Sequence, residues 1–277
     1  MLIAHLTDLH VRPRGRAAYR VSETNMMTAR AIDAVRALTP KPDCVIISGD
    51  LTDCGLAEEY ELLREMLSAL PMPIYVIPGN HDRREQLRTT LAEYPGVTTH
   101  STFVQYVVED HPVRLIALDT MVPGASRGEL DGERLAWLDK ALAARPAKPT
   151  IIFMHHPPFV CGIRHMDDIR LLEGAEAMGE IVARHPQVER VLCGHHHRVI
   201  YQRWARTIAS TAPSVSHQVT LDLRPEDPGS MVFEPPAYQL HLWSADAGLV
   251  THVAYVERFP GPYPFVLDAD YPGVESH

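Results

Sequence analysis

Short segments rich in valine, isoleucine and leucine alternate along most of the chain with segments whose apolar residues recur at helical spacing. The strand-like segments are Leu2–Leu6, Cys44–Ser48, Ile74–Ile77, Arg114–Leu118, Thr150–Met154 and residues 190–193. The helix-like segments are residues 24–38, 56–70, a segment capped by Asp131, and residues 173–185. Strands that alternate with helices favour a layered α/β fold with much parallel pairing, so we predict this fold class.

The chain changes character after about residue 199. Prolines become frequent there, and the helical spacing of apolar residues ends. Residues 238–243 and 249–256 still have the composition of strands. We therefore predict a core of residues 1–198 and a small, β-rich C-terminal cap or dimerisation element of residues 199–277.

Charge and composition exclude several classes of protein. The formal net charge is −9, from 26 lysines and arginines against 35 aspartates and glutamates. Without a dense basic segment, a surface for long nucleic acids is not expected. The 4 cysteines form no CxxC pair, as is typical of free thiols in a reducing compartment. The sequence has neither a signal peptide nor a long apolar stretch, so we expect a cytoplasmic protein with no membrane contact.

Polar motifs follow all but one of the predicted strands. They contain Asp8 and His10; Gly49 and Asp50; Asn80, His81 and Asp82; His155 and His156; and Gly194 with His195, His196 and His197. Each motif alone is common in turns and surface loops. Because the carboxyl ends of parallel strands meet at one edge of a sheet, the motifs together indicate one site. Oxygen and nitrogen ligands without thiolates suit Mn, Fe, Zn or Co.

The order of these motifs, D-x-H, G-D, G-N-H-D, H-H-P and G-H-x-H, resembles that of the calcineurin-like metallophosphoesterases. The likeness covers roughly residues 1–200. The motif spacing and the runs at residues 53–60 and 216–219 are most similar to the branch of bacterial glycerophosphodiesterases and class III cyclic-nucleotide phosphodiesterases. The resemblance implies an αββα sandwich, completed by the C-terminal cap, and two divalent metal ions.

The resemblance also implies which residues bind each metal. One ion would be bound by Asp8, His10 and His197, and the other by Asn80, His155 and His195, with Asp50 bridging the two. In the H-H-P motif the first histidine matches the family ligand, which leaves His156 in a supporting role. His196 occupies the variable position of G-H-x-H and is not expected to bind metal.

The implied reaction is attack of a metal-bound hydroxide on a small phosphodiester, such as 3′,5′-cyclic AMP or a glycerophosphodiester. His81 would contact the phosphoryl oxygens or protonate the leaving group, and Asp82 would orient His81. His217, from the C-terminal cap, would reach the substrate. Tyr19 and Ser126 are further candidates at the mouth of the site.

Three other functions remain open from the sequence. A phosphomonoesterase needs strong positive charge around three terminal oxygens, and Arg83 and Arg84 directly follow the N-H-D motif. A nuclease would need a basic groove with stacking aromatic residues, which the negative net charge disfavours. A non-catalytic metal-binding scaffold would lack one of the ligands. We expect a homodimer or higher homo-oligomer.

Overall fold

Two mixed β-sheets build the molecule in the computed structural model, which describes residues 1–226 and 228–263. The strands are β1 (Leu2–Leu6), β2 (Cys44–Ser48), β3 (Ile74–Ile77), β4 (Tyr106–Val108), β5 (Arg114–Leu118), β6 (Gly128–Glu129), β7 (Thr150–Met154), β8 (Leu171–Glu173), β9 (Val188–Cys193), β10 (Ile200–Trp204), β11 (Thr207–Thr211), β12 (Gln218–Val219), β13 (Met231–Val232), β14 (Ala237–Ser244) and β15 (Gly248–Tyr255). The helices are α1 (Thr24–Ala37), α2 (Ala57–Leu67), α3 (Arg84–Thr90), α4 (Gly132–Ala143), α5 (Arg164–Asp167) and α6 (Ala175–Arg184).

The first sheet has the strand order β15-β14-β1-β2-β3. Strands β1, β2 and β3 are parallel, and β14 pairs antiparallel with β1. Strands β2 and β3 are entirely buried, in agreement with their unbroken apolar sequences. Helices α1 and α2 connect the parallel strands, so the loops that follow the strands all open at one edge.

The second sheet has the order β10-β11-β9-β7-β5-β4. Strands β5, β7, β9 and β11 are parallel, and β10 and β4 are antiparallel edge strands. Strands β5 and β7 are fully buried, and the two sheets share one hydrophobic core with the helices. The architecture is the predicted layered α/β sandwich.

The elements predicted for the first part of the chain are confirmed with small shifts at their ends. The predicted segment 190–193 begins earlier, at Val188, and the predicted helix 56–70 is shorter and ends at Leu67. Asp131 caps α4 as predicted, and its side chain accepts a hydrogen bond from Arg134 N at 2.9 Å. No helix among the described residues is both long and apolar enough to cross a membrane.

The C-terminal part of the chain contributes strands to both sheets. Strands β14 and β15 were predicted, whereas the hairpin of β10 and β11 was missed. Its turn contains Ala205 and Arg206, both with left-handed backbone (φ 47° and 68°), where Asn-Gly or Asp-Gly would be the usual signal. The boundary at residue 198 and the dimerisation role remain predictions, and residues 264–277 of that segment lie outside the described residues.

Candidate metal centre

The loops that follow five parallel strands bring seven polar side chains together between the two sheets. Strands β1, β2, β3, β7 and β9 all end at this position. The side chains belong to the residues that the family resemblance assigned to metals: Asp8, His10, Asp50, Asn80, His155, His195 and His197. All except Asn80 are buried.

Four of these side chains form one group around a common point. His10 Nε2 and His197 Nε2 are 3.2 Å apart, and His197 Nε2 lies 3.3 Å from Asp8 Oδ1. Asp50 Oδ2 is 3.7 Å from His10 Nε2. The donor atoms of these four residues lie within 4.8 Å of one another, which is the packing that a bound cation requires.

A second group shares Asp50 with the first. His155 Nε2 lies 3.1 Å from Asn80 Oδ1 and 3.4 Å from Asp50 Oδ2. The ring of His195 is centred 5.0 Å from that of His155. Because Asp50 Oδ2 faces both His10 and His155, this carboxylate is placed to bridge two cations.

Hydrogen bonds to backbone carbonyls fix the orientation of three of these imidazole rings. The contacts are His155 Nδ1 to Ser48 O (2.8 Å), His197 Nδ1 to His217 O (2.9 Å) and His195 Nε2 to Ile169 O (3.1 Å). In each ring the nitrogen that donates to the carbonyl bears the proton, so the other nitrogen presents a lone pair. Such carbonyl contacts are the usual support of metal-binding histidines.

The two buried carboxylates have no basic side chain beside them. Among the described residues, their ion-pair partners are imidazoles and neither contacts a lysine or arginine. Burial opposes ionisation of Asp8, but His197 and His155 together outweigh burial and lower the pKa of Asp8. Burial likewise opposes ionisation of Asp50, yet His155 and His81 hold the pKa of Asp50 well below its usual value. Divalent cations fit this centre because they supply the missing positive charge.

The pKa of His155 shows the same demand for positive charge. Burial by itself lowers the pKa of this ring, but the Asp50 and Asp8 carboxylates and the Ser48 carbonyl together outweigh burial and raise the pKa to about 9. A metal ion at this point would replace the proton and satisfy the same carboxylate.

Most of the seven residues have strained backbone. Non-glycine residues rarely adopt positive φ, and holding them there costs on the order of 1–3 kcal/mol each. The residues concerned are Asp8 (φ 54°), His10 (46°), Asp50 (45°), His195 (68°) and His197 (50°). Strain concentrated on one group of side chains indicates a functional site, because surrounding structure must hold it in place.

Close packing explains the glycines of the three motifs. A Cβ atom on Gly49 would lie 2.4 Å from His155 Nδ1, and one on Gly79 would lie 2.2 Å from Asp50 Oδ1. A Cβ atom on Gly194 would lie 2.1 Å from Thr7 Oγ1. Each glycine therefore lets a strand end pass directly against a ligand or its support.

His81 lies beside the metal centre at the cavity surface. Its backbone N donates to Asp50 Oδ1 at 2.9 Å, and its ring Nδ1 donates to Asp53 O at 2.7 Å. Burial lowers the pKa of His81, but Asp50, Asp53 and Asp82 together outweigh this effect and the net shift is upward. Asp53 also approaches His10 Nδ1, at 3.3 Å from Oδ1. Sequence reasoning missed Asp53, although it follows Asp50 in the same G-D-L-T-D run.

The His81 ring contacts the backbone carbonyl of Asp53, and none of the hydrogen bonds of Asp82 within the described residues reaches that ring, so the orienting role of Asp82 stays a prediction. The buried Asp82 carboxylate holds the loops after β2 and β3 together. It accepts hydrogen bonds from Leu51 N (3.0 Å), Thr52 N (3.1 Å), Gly79 N (2.8 Å) and Tyr60 Oη (2.8 Å).

His156 and His196, the two remaining histidines of the motifs, differ from the seven predicted metal ligands. His156 lies near His155 and His195, but its Nδ1 contacts Thr120 Oγ1 at 2.8 Å and its Nε2 contacts Ser126 O at 3.2 Å. Both ring nitrogens of His156 are therefore occupied. The ring of His196 is buried, with no hydrogen bond from either nitrogen within the described part of the chain.

The C-terminal segment places His217 against the first group. Its ring centre is 4.8 Å from that of His197 and 5.4 Å from that of His10. Its Nδ1 lies 3.1 Å from the hydroxyls of Ser22 and Ser216, which leaves Nε2 for a ligand. The position fits either a contact to substrate or an additional metal ligand with His10 and His197.

A cavity of about 450 Å³ opens above these groups. Its lining includes the candidates Tyr19 and Ser126 together with His81 and His217. It also includes residues that sequence reasoning missed, from α5 and from the β12–β13 hairpin: His165, Met166, Ile169, Val219, Gly229, Ser230 and Met231. No sequence signal marks them, because only the folding of these loops brings them to the site.

Comparison with known proteins agrees with this geometry. The family model of the calcineurin-like phosphoesterases matches residues 1–199, a segment that contains all seven predicted metal ligands. The chain belongs to this family.

Relatives within the calcineurin-like phosphoesterases match nearly the whole chain. A protein of Arcobacter nitrofigilis named "Probable glycerophosphodiester phosphodiesterase GpdQ" is 42% identical over 265 residues, covering 96% of this chain and 97% of its own. A Rhodopseudomonas palustris protein named as a "Probable cyclic nucleotide phosphodiesterase" is 35% identical over 263 residues and is covered to 93%, as is this chain.

Solved structures support the fold. A dimetal phosphatase from Danio rerio has a TM-score of 0.62 at 14% identity, over 93% of this chain and 99% of that chain. A purple acid phosphatase from yellow lupin has a TM-score of 0.67 at 13% identity, over 92% of this chain and 51% of that chain. The β12–β13 hairpin lies beyond the family match and forms part of the cavity wall.

Proposed function

We propose that this chain is a dinuclear metal-dependent phosphodiesterase that hydrolyses small phosphodiesters. The observation that carries the proposal is Asp50, a buried carboxylate shared by two groups of imidazole and oxygen ligands at the base of a cavity. The names of the relatives point to the same reaction, since they include glycerophosphodiester and cyclic-nucleotide phosphodiesterases.

Each residue of the centre has a distinct role in this proposal. Asp8, His10 and His197 would hold one divalent cation, Asn80, His155 and His195 the other, and Asp50 both. Two cations at such a centre polarise a phosphoryl group and lower the pKa of a bound water. This set of oxygen and nitrogen ligands accepts Mn, Fe, Zn and Co.

His81 and His217 would act on the substrate. His81 donates from Nδ1 to a carbonyl, so its Nε2 can donate to a phosphoryl oxygen or to the departing alkoxide when the ring carries both protons, a form that the upward shift of the His81 pKa favours. His217 lines the same cavity from the opposite segment of the chain. The substrate phosphate would thus be held between two imidazoles and the metal centre.

The cavity favours diesters over monoesters. A monoester carries a second negative charge on a third terminal oxygen, which arginine side chains commonly bind. Arg84 is instead engaged with Asp119 through Nε at 2.8 Å, and Arg83 NH1 donates to Asp82 O at 2.9 Å. Among the described residues no lysine or arginine lines the cavity.

Hydrolysis by metal-free and reconstituted protein tests the proposal. The protein would be stripped of metal, reloaded with Mn, Fe, Zn or Co, and assayed with bis-p-nitrophenyl phosphate, p-nitrophenyl phosphate, 3′,5′-cyclic AMP and glycerophosphoethanolamine. We expect metal-dependent turnover of diesters well above that of the monoester. Turnover of the monoester alone would refute the diesterase and leave the metal centre. No turnover with two metals bound would favour the scaffold alternative.

The predicted homodimer or higher homo-oligomer and the cytoplasmic location belong to the same proposal. In the cap segment of residues 199–277, strand β15 lies at the edge of the first sheet. The side chains of Val253 and Tyr255 on this strand are exposed. Light scattering during size-exclusion chromatography measures the oligomeric state directly.

A further inference from the structure

The cavity has two chemically different sides. One side consists of the metal centre with its imidazoles. The other side comes from α5 and the β12–β13 hairpin and presents apolar side chains, which we call the apolar wall: Met166, Ile169, Val219 and Met231. His165 and Ser230 are its polar members.

The α5 half of the apolar wall is fixed to the metal centre. The Asp167 carboxylate accepts hydrogen bonds from Cys161 N at 2.7 Å and Gly162 N at 2.9 Å, which closes the loop before the helix. After the helix, Ile169 O accepts the hydrogen bond from His195 Nε2 at 3.1 Å. The same residue therefore lines the wall and orients a ligand, so the wall begins directly beside the phosphate position.

The hairpin half is fixed to the opposite end of the centre. Val219 and Met231 face each other in the β12–β13 pair. Arg198, the residue after His197, donates from NH1 to Val219 O at 2.7 Å and forms an ion pair with Glu234 at 2.8 Å. Both halves of the wall are thus held at a defined distance from the metal ligands.

Among the cavity-lining residues that the structure describes, the carboxylate belongs to the metal side. Within the described part of the chain, Asp50 is the sole aspartate or glutamate lining the cavity, and it faces the ligand groups. An ammonium group placed against the apolar wall would lose its hydration without gaining a carboxylate partner. Methionine side chains are flexible and polarisable, and they pack well against flat or irregular apolar groups.

We infer that the apolar wall is the subsite for an ester group of the substrate, and that Met166 and Met231 select uncharged alcohols with a large apolar or planar face, such as nucleosides and aryl alcohols, over alcohols that carry an ammonium group. This inference rests on the proposed phosphodiesterase activity. The metal side holds the phosphate, and the apolar wall discriminates among diesters by the ester group that is attached to this phosphate.

Variants of Met231 test the subsite, with the exposed Met26 of α1 as a matched control position. The first measurement is the ratio of kcat/KM for bis-p-nitrophenyl phosphate to that for ethyl p-nitrophenyl phosphate, which share a leaving group. Loss of a side chain from an apolar pocket costs ten-fold or more in discrimination. We expect Met231→Ala to lower this ratio about ten-fold and Met26→Ala to leave it unchanged.

A second variant reverses the chemistry of the wall. Met231→Glu places a carboxylate beside the ester group, so we expect the ratio of glycerophosphocholine to 3′,5′-cyclic AMP turnover to rise about ten-fold. Metal content per chain is measured for every variant. If both Met231 variants still hydrolyse diesters and their ratios stay at the wild-type values, the proposed subsite is overturned. A wild-type enzyme that hydrolyses no diester overturns the proposed function, and the subsite with it.

Discussion

Asp50 and His81 are adjacent at the cavity but do different work. The Asp50 carboxylate faces both ligand groups, whereas the His81 ring makes its fixed hydrogen bond to a backbone carbonyl and belongs to neither four-residue group. Removing the charge of Asp50 should empty the metal centre. Removing the ring of His81 should leave the metals in place and slow the reaction.

We therefore expect Asp50→Asn to lose most of its bound metal. His81→Ala should retain metal at the wild-type level, with kcat lower by about 10²- to 10⁴-fold, the usual contribution of a positioned acid or base. Elemental analysis of the purified variants and steady-state kinetics measure both quantities. If His81→Ala loses metal while activity per bound metal stays the same, the role assigned to His81 is wrong.

The end of strand β2 depends on a glycine for its contact with β7. Gly49 has φ +98°, and a Cβ atom there would lie 2.4 Å from His155 Nδ1 and 2.9 Å from Gly79 Cα. This crowding would break the hydrogen bond between His155 and Ser48 O, which orients a predicted ligand. The strand end and the ligand ring therefore move together.

Gly49→Ala should weaken metal affinity by about 10- to 100-fold, as expected when support for a ligand is lost. It should also lower the free energy of unfolding by at least about 2 kcal/mol. Gly15→Ala is the control, because Gly15 also has positive φ (+76°) but nothing lies within 4 Å of its Cβ position. Metal titration and urea unfolding measure the two effects. Equal losses in both variants would mean that backbone strain, rather than contact with His155, is responsible.

Acid should destabilise the whole molecule through histidines buried in the first sheet. His5 and His241 are fully buried, with His5 Nδ1 3.3 Å from His241 Nε2 and His5 Nε2 2.8 Å from Ser48 Oγ. Burial lowers the pKa of His5 to about 3 and the pKa of His241 well below its usual value. Between pH 6.5 and 3 the unfolded chain binds the proton that folded His5 rejects, so stability falls as pH falls.

We expect the metal-free protein to lose stability by about 1.4 kcal/mol per pH unit for each such histidine as the pH falls below 6.5. His5→Gln should reduce that slope by about one proton, whereas the same change at the exposed His252 should leave it unchanged. Urea unfolding between pH 6.5 and 4.5 gives the slopes. An unaltered slope in His5→Gln would show that His5 is not the group that titrates.

The predicted metal ligands could be identified from the sequence because they directly follow strands. Strands β1, β2 and β3 are parallel in the first sheet, and β7 and β9 are parallel in the second. Because the carboxyl ends of parallel strands meet at one edge of a sheet, the local motifs predict neighbouring side chains without knowledge of loop geometry. The glycines within the motifs are part of the same local pattern. The family resemblance added the division of these residues between two metals.

Other features depend on distant segments, and no local pattern specifies them. The His81 ring contacts Asp53 O because the path of the loop after β2 brings this carbonyl to the ring. Met166 and Met231 line one cavity although 65 positions separate them in the chain, since Arg198 and Asp167 fix their loops. The order of strands and their motifs were thus sufficient to predict the metal centre, whereas only the long-range packing of loops determined which residues form the apolar wall of the cavity.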